Sequence, residues 1–113
     1  PLFPAMKKLT LRAINIAQHI QKLGFSVIEI HPSSTRKALQ MPAKDWIAIQ
    51  ATLVQMGMKG DLKRRALTPH ELDATIAALT AHLYLEGKTQ LIGDTKEGYI
   101  VVPQKSSWTR LKL

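Results

Sequence analysis

The chain has 113 residues, of which 45% are hydrophobic and 21% are charged, and it contains no cysteine. Its length fits one domain or part of one, and its composition excludes disulfides, zinc fingers, thiol catalysis and a membrane-spanning segment. We therefore predict a soluble, cytoplasmic protein without a membrane partner. The formal net charge of +8 makes nucleic acid the obvious candidate partner. The alternative is a basic surface with no such role.

The first part of the chain predicts one helix followed by one strand. The opening Pro1–Met6 does not have the order of a signal peptide and is typical of a cut inside a longer protein. A helix is predicted from Met6 to Leu23, ended by Gly24, and Phe25–His31 alternates as a strand with Glu29 and His31 on one face. The helix prediction rests on an apolar stripe of Leu9, Ala13, Ile16, Ile20 and Leu23.

Three more helices are predicted in the middle of the chain. Pro32 ends the strand, and the hydroxyl residues after it offer caps for a short helix from Arg36 to Met41. The next helix spans Lys44–Met56, with Trp46 in the core. Thr68-Pro69-His70-Glu71 is then a complete capping-box start for a helix that ends at Gly87.

The C-terminal part predicts a hairpin and a tail. Gln90–Ile92 and Tyr99–Val102 are short strand candidates around a glycine-containing turn, and Gln104–Leu113 is basic with no clear structure. One strand and a hairpin do not make a sheet that several amphipathic helices could cover. We therefore expect the missing strands to come from an N-terminal half or from a second copy, so that the chain is a fragment or an obligate homodimer.

Four side chains are candidate metal ligands. Glu29 and His31 share a strand face, while His70 and Asp73 are three residues apart on one side of the capped helix. Two carboxylates and two imidazoles are ligands that divalent metals use. Measured from the apolar stripe of its helix, Asp73 falls at the rim of the buried face.

Each candidate also has a structural interpretation. Asp73 can be a surface residue that gains from the helix dipole, and His70 can be an ordinary hydrogen-bonded side chain. Glu29 needs a cation or metal if it is buried, but carries little meaning if its face is open to water. A basic run beside the Asp73 helix is either a solvated loop or a phosphate-binding segment. It consists of Lys63, Arg64 and Arg65.

Three segments occur together in an order found in one protein family. They are Ile28-Glu29-Ile30-His31-Pro32-Ser33, His70-Glu71-Leu72-Asp73-Ala74, and Ile92-Gly93-Asp94 leading through Glu97-Gly98-Tyr99 to Pro103. With Pro4, Met6, Leu9 and Arg12, they resemble the C-terminal half of domain-of-unknown-function family 429. The resemblance covers residues 1–103 and leaves residues 104–113 as a basic tail.

The resemblance implies a partial ribonuclease H-like α/β fold, with one central strand, amphipathic helices and a C-terminal hairpin. It also implies a nuclease dependent on Mg²⁺ or Mn²⁺, in which Asp73 matches the late-helix carboxylate. Glu29 and His70 are the other catalytic candidates, and Asp73, Glu29 and His31 form the candidate metal set. Family members carry two more carboxylates in an N-terminal half, and no Asp or Glu precedes Glu29 here. We therefore expect an incomplete, inactive site.

Two other functions stay open at this point. The chain can be a non-catalytic module that dimerises and binds nucleic acid, or a metal-dependent hydrolase of small phosphates. The candidate ligands specify a metal better than they specify a substrate.

Overall fold

The computed structural model describes the backbone of residues 4–113 and the side chains of residues 11–113. The predictions for Pro1–Phe3 and for the side chains of Pro4, Met6 and Leu9 lie outside these residues. Within them, four α-helices and a two-stranded antiparallel sheet confirm the mixed α/β class. The elements are α1 (Pro4–Lys22), α2 (Pro32–Ala38), α3 (Trp46–Gln55), α4 (Pro69–Leu85), β1 (Thr89–Asp94), β2 (Gly98–Pro103) and two 3-10 turns (Asp61–Lys63 and Trp108–Arg110). None of these helices has the length and apolar character needed to cross a membrane.

The strand predicted for Phe25–His31 is the main correction to the fold. This segment forms one parallel bridge, between Ile30 and Val101 of β2, and the Val101 N–H donates to the Glu29 carbonyl at 2.8 Å. A strand exists only where a neighbour continues the hydrogen-bond ladder, and here the ladder stops after one bridge. The predicted central strand is therefore wrong for this structure, whereas the helix before it is confirmed as α1.

Helix α2 begins four residues earlier than predicted. Pro32 occupies its first position, where a missing N–H costs nothing, so this proline starts a helix as well as ending the extended segment. The helix ends in a Schellman motif, in which the Met41 N–H donates to the Arg36 carbonyl at 2.9 Å. Gln40 takes the left-handed position with φ of 58°, where glycine is usual.

Helix α4 starts at its predicted capping box, whereas α3 begins at Trp46, two residues after the predicted Lys44. The Asp45 side chain accepts a hydrogen bond from the Ala48 N–H, and α3 begins at the next residue, Trp46. Thr68 and Glu71 form the predicted capping box, with Pro69 at the first helical position of α4. Both boundaries are set by neighbouring residues alone, which is why the sequence placed the α4 start correctly and the α3 start within two residues.

The core lies between α2, α3 and α4 and not beneath a sheet. It contains ten buried apolar side chains, among them Leu39 of α2's C-terminal end, Ile49 of α3 and Leu72 of α4. The C-terminal segment, expected to lack structure, packs against this core through Trp108 and Leu111. Backbone hydrogen bonds from Ser106, Trp108 and Leu113 hold it in place, reaching Ala38, Leu39 and Met56.

The predicted hairpin is confirmed as β1 and β2. Leu91 pairs with Val101, and Asp94 pairs with Gly98 across the turn. Gly93 has φ of 134°, and a Cβ there would overlap the Gly98 carbonyl oxygen, so this position requires glycine. Val101 and Val102 are buried while Leu91 is exposed, so the hairpin attaches to the helical core through β2.

Candidate functional site

Asp73 is the predicted catalytic carboxylate, and the structure places it at the rim of the core as its helical phase indicates. Its side chain is 40% exposed on the second turn of α4. One oxygen, Oδ1, accepts a hydrogen bond from Arg36 Nη1 of α2 at 3.2 Å. Among the described residues, the second oxygen, Oδ2, accepts no hydrogen bond from the protein. Asp73 is thus held from one side and open on the other.

Arg36 is a functional candidate that the sequence did not reveal. Its side chain is only 8% exposed, and its guanidinium carbon lies 5.3 Å from the centre of the Trp46 ring, within cation–π range. The buried Nε has no hydrogen-bond partner in the described part of the chain. Arg36 and Asp73 are 37 residues apart, so no local pattern could have paired them. A buried arginine with one carboxylate partner retains unused donors.

His31 occupies the position just before α2 and is fixed by two serines. Its Nδ1 lies 2.8 Å from Ser34 Oγ and 3.1 Å from Ser33 Oγ. In the tautomer with a proton on Nδ1, the ring donates to a serine and leaves the Nε2 lone pair available. Metal-binding histidines use this arrangement, because a hydrogen bond at one ring nitrogen orients the other.

Glu29 and His70 are both exposed to solvent. The Glu29 carboxylate is therefore open to water, and its exposure gives no reason to infer a bound cation. The backbone carbonyl of Glu29 accepts the hydrogen bond from the Val101 N–H. No group of three or more His, Asp or Glu side chains within the described range is arranged to hold a metal ion. The structure brings Asp73 to Arg36 and His31 to two serines, but does not assemble the predicted ligand set of Asp73, Glu29 and His31.

The basic run beside α4 is largely engaged by acidic residues. Arg65 donates to both carboxylate oxygens of Glu71, at 2.6 and 3.1 Å, and its Nη2 also lies 3.3 Å from Asp61. Arg64 lies 3.7 Å from Asp61 on the exposed surface. No ion pair in the described part of the chain involves Lys63. Phosphate binding by Arg65 would therefore have to displace Glu71, whereas Lys63 has no such competitor among the described residues.

Glu71 explains why Arg65 is held so firmly. The hydrogen bonds from Arg65, and then that from the Thr68 backbone, lower the pKa of Glu71 to about 2, and the same pair raises the pKa of Arg65 above its ordinary value. Gln50 fixes the loop from beneath by donating to the Leu62 and Arg65 carbonyls at 2.9 and 2.7 Å. The run is consequently an ordered part of the α4 start.

No family model, curated protein or solved structure matches this chain. The resemblance to domain-of-unknown-function family 429 therefore stays a prediction, carried by the three motifs quoted above. The observed architecture, four helices with a two-stranded sheet in the described residues, does not confirm a ribonuclease H-like fold.

Proposed function

We propose that Asp73 is a metal-binding carboxylate of a composite, Mg²⁺- or Mn²⁺-dependent phosphodiesterase site, as the family resemblance implies. The observation that supports this is the fixed but half-open Asp73 carboxylate. Arg36 orients Oδ1 from the buried side, while Oδ2 accepts no bond from the described residues. Metal-ligating carboxylates are commonly held by such an outer hydrogen bond, which sets their direction before the metal arrives.

The remaining ligands of this site are proposed to come from Glu29, His31 and a partner polypeptide. Two-metal cleavage of phosphodiesters needs several carboxylates around the attacking and leaving oxygens. Glu29 and His31 flank the start of α2, the helix that carries Arg36, so a partner strand added beside them would bring further ligands to the same end of α2. His70, one turn before Asp73 on α4, is a candidate for proton transfer.

Mn²⁺ titration followed by NMR line broadening tests the assignment of Asp73. We expect the amides around Asp73 to broaden first in the wild-type chain, and this preference to disappear in Asp73→Asn. Glu97→Gln is the matched control, because Glu97 is an exposed carboxylate in the hairpin turn. Equal broadening around Asp73 and Glu97, or broadening that survives Asp73→Asn, would remove Asp73 from the proposal.

A second copy of this chain is the partner that we propose for the composite site. Six large apolar side chains between residues 11 and 27 are 38–66% exposed on α1 and the segment after it: Leu11, Ile14, Ile16, Leu23, Phe25 and Val27. The chain exposes 8478 Å² in all, whereas a compact monomer of this mass exposes about 6200 Å². The difference of about 2300 Å² exceeds the roughly 800 Å² that each partner contributes to a standard interface.

Light scattering on the wild type and two charge variants tests whether the chain dimerises through this apolar surface. We expect a dimer for the wild type, and a monomer for Phe25→Asp, because Phe25 is 66% exposed and a buried unpaired carboxylate would oppose association. Ile47→Asp is the matched control, since Ile47 is 84% exposed on α3, and it should remain a dimer. A wild-type monomer at all concentrations would overturn the self-association.

The second candidate function is a non-catalytic module that binds nucleic acid. The observation that favours it is charge: residues 1–28 contain four Lys or Arg and no Asp or Glu, and the chain carries a net charge of +8. This function predicts affinity for single-stranded RNA or DNA that falls steeply with salt and needs no divalent metal. Binding that is insensitive to salt, or no binding in low salt, would reject it.

A further inference from the structure

A cavity beside α2 has the chemistry of an anion site. Its volume is about 460 Å³, and its lining residues include two cations, Arg36 and Lys37, and three residues with hydroxyl or amide side chains, Ser33, Ser34 and Gln40. Met41 and Ala43 complete it, and no acidic side chain takes part. A cavity lined by positive and neutral donors with no carboxylate favours a ligand that carries negative charge and accepts hydrogen bonds.

Arg36 supplies the second, independent observation. Its side chain is more than nine-tenths buried, yet only Nη1 has a described hydrogen-bond partner, and Nε is buried without one. A guanidinium carries five N–H donors, and leaving such donors unsatisfied in a buried place is costly. Arg36 Nη2 also has no described partner and is not among the fully buried atoms, so it is the donor that an anion in the adjoining cavity can reach.

The hydroxyls of Ser33 and Ser34 are also positioned to donate hydrogen bonds to an anion in the cavity. Both hydroxyl oxygens lie within hydrogen-bond distance of His31 Nδ1, so the ring fixes their places at the cavity wall. When the ring proton is on Nδ1, a serine oxygen accepts it, and the serine proton is left to donate elsewhere. Lys37 is exposed at the cavity edge and can approach a ligand without disturbing the core.

We propose that this cavity binds a phosphate-type oxyanion between the Arg36 guanidinium, Lys37 and the two serine hydroxyls. The volume admits a group larger than phosphate alone, so the bound group is either free phosphate or the phosphate of a mononucleotide. The site uses no metal ion, and it stands whether or not Asp73 binds Mn²⁺.

The test is a titration of the intact chain with inorganic phosphate and, separately, with uridine monophosphate, followed by amide NMR shifts without divalent cations and at constant ionic strength. We expect saturable shifts confined to the α2 cavity. Lys37→Gln should weaken binding about tenfold, because it removes one charged donor. Lys96→Gln is the matched control, since Lys96 is an exposed lysine in the hairpin turn that does not line the cavity, and it should bind like the wild type.

Comparing the affinities for inorganic phosphate and uridine monophosphate distinguishes a phosphate site from a nucleotide site. Tighter binding of the mononucleotide supports a nucleotide site, and equal binding supports a phosphate site. Shifts that never saturate and spread over all basic residues would mean general attraction to a positive chain and would overturn the proposal. Equal effects of Lys37→Gln and Lys96→Gln would overturn it as well.

Discussion

The buried hydrogen bond between α2 and α4 gives a sharp test of how the site is held. Thr35 and Thr80 are fully buried, and their hydroxyl oxygens lie 2.9 Å apart. Thr80 uses its proton on the Ile76 carbonyl at 2.8 Å, so the proton between the two threonines must belong to Thr35. Because of this assignment, we expect the two single substitutions to change the free energy of unfolding by different amounts, although both replace threonine by valine, which has a similar shape.

Thr80→Val leaves the Thr35 proton buried without an acceptor, and we expect it to lower the free energy of unfolding by about 1–3 kcal/mol. Thr35→Val removes the donor but leaves the Thr80 proton satisfied, so its cost should be smaller, about 0.5–1.5 kcal/mol. The double variant has neither polar group at the interface. It should therefore be at least about 1 kcal/mol more stable than the sum of the single effects predicts.

Urea unfolding followed by circular dichroism measures the cycle. A change of 1.5 kcal/mol moves the midpoint by about 1 M when the slope is near 1.5 kcal/mol/M. The slope should be equal in all four proteins, which shows that the comparison concerns the native state. Equal single effects that add in the double variant would refute the hydroxyl pairing and, with it, this account of how α2 is fixed beside Asp73.

Three more predictions concern the same elements. Asp73→Ala leaves Arg36 as a buried unpaired charge, so it should lower the free energy of unfolding by about 2 kcal/mol. Arg36→Met leaves only the more exposed Asp73 unpaired and should cost less, which a comparison of urea midpoints measures. Gln40→Gly should stabilise the chain by about 0.5–1 kcal/mol, since φ is positive there, and an unchanged midpoint would contradict this. The pKa of Glu71 is lowered to about 2, so its stabilisation, fully present above about 4.5, should be lost as pH falls towards 2. Glu71→Gln should flatten this part of the melting-temperature profile.

The elements that the sequence predicted well are those defined by neighbouring residues. The capping box of Thr68 and Glu71 contains its own hydrogen-bond partners, so α4 could be placed without knowing the rest of the fold. The hairpin likewise follows from two short apolar runs and a turn with glycine at both ends. Asp73 belongs with them, because its position relative to the α4 stripe depends only on helix geometry.

The elements that were misjudged depend on contacts between distant residues. Phe25–His31 has strand-like alternation, but a strand also needs a neighbour, and β2 provides one bridge only. The C-terminal segment offers little periodicity, yet Trp108 and Leu111 pack on a core made by three helices. A lone aromatic in an irregular basic segment was the available signal, because large apolar side chains are rarely left in water without a reason.

Arg36 was missed for the same reason, and its position bears on the strength of any metal site. A guanidinium that bonds Asp73 Oδ1 competes for the negative charge that a divalent cation would use. Asp73 should therefore hold Mn²⁺ more weakly than a carboxylate held by neutral donors. An oxyanion in the α2 cavity would offset the arginine's charge and so favour the metal. By thermodynamic reciprocity, Mn²⁺ must then tighten oxyanion binding by the same factor.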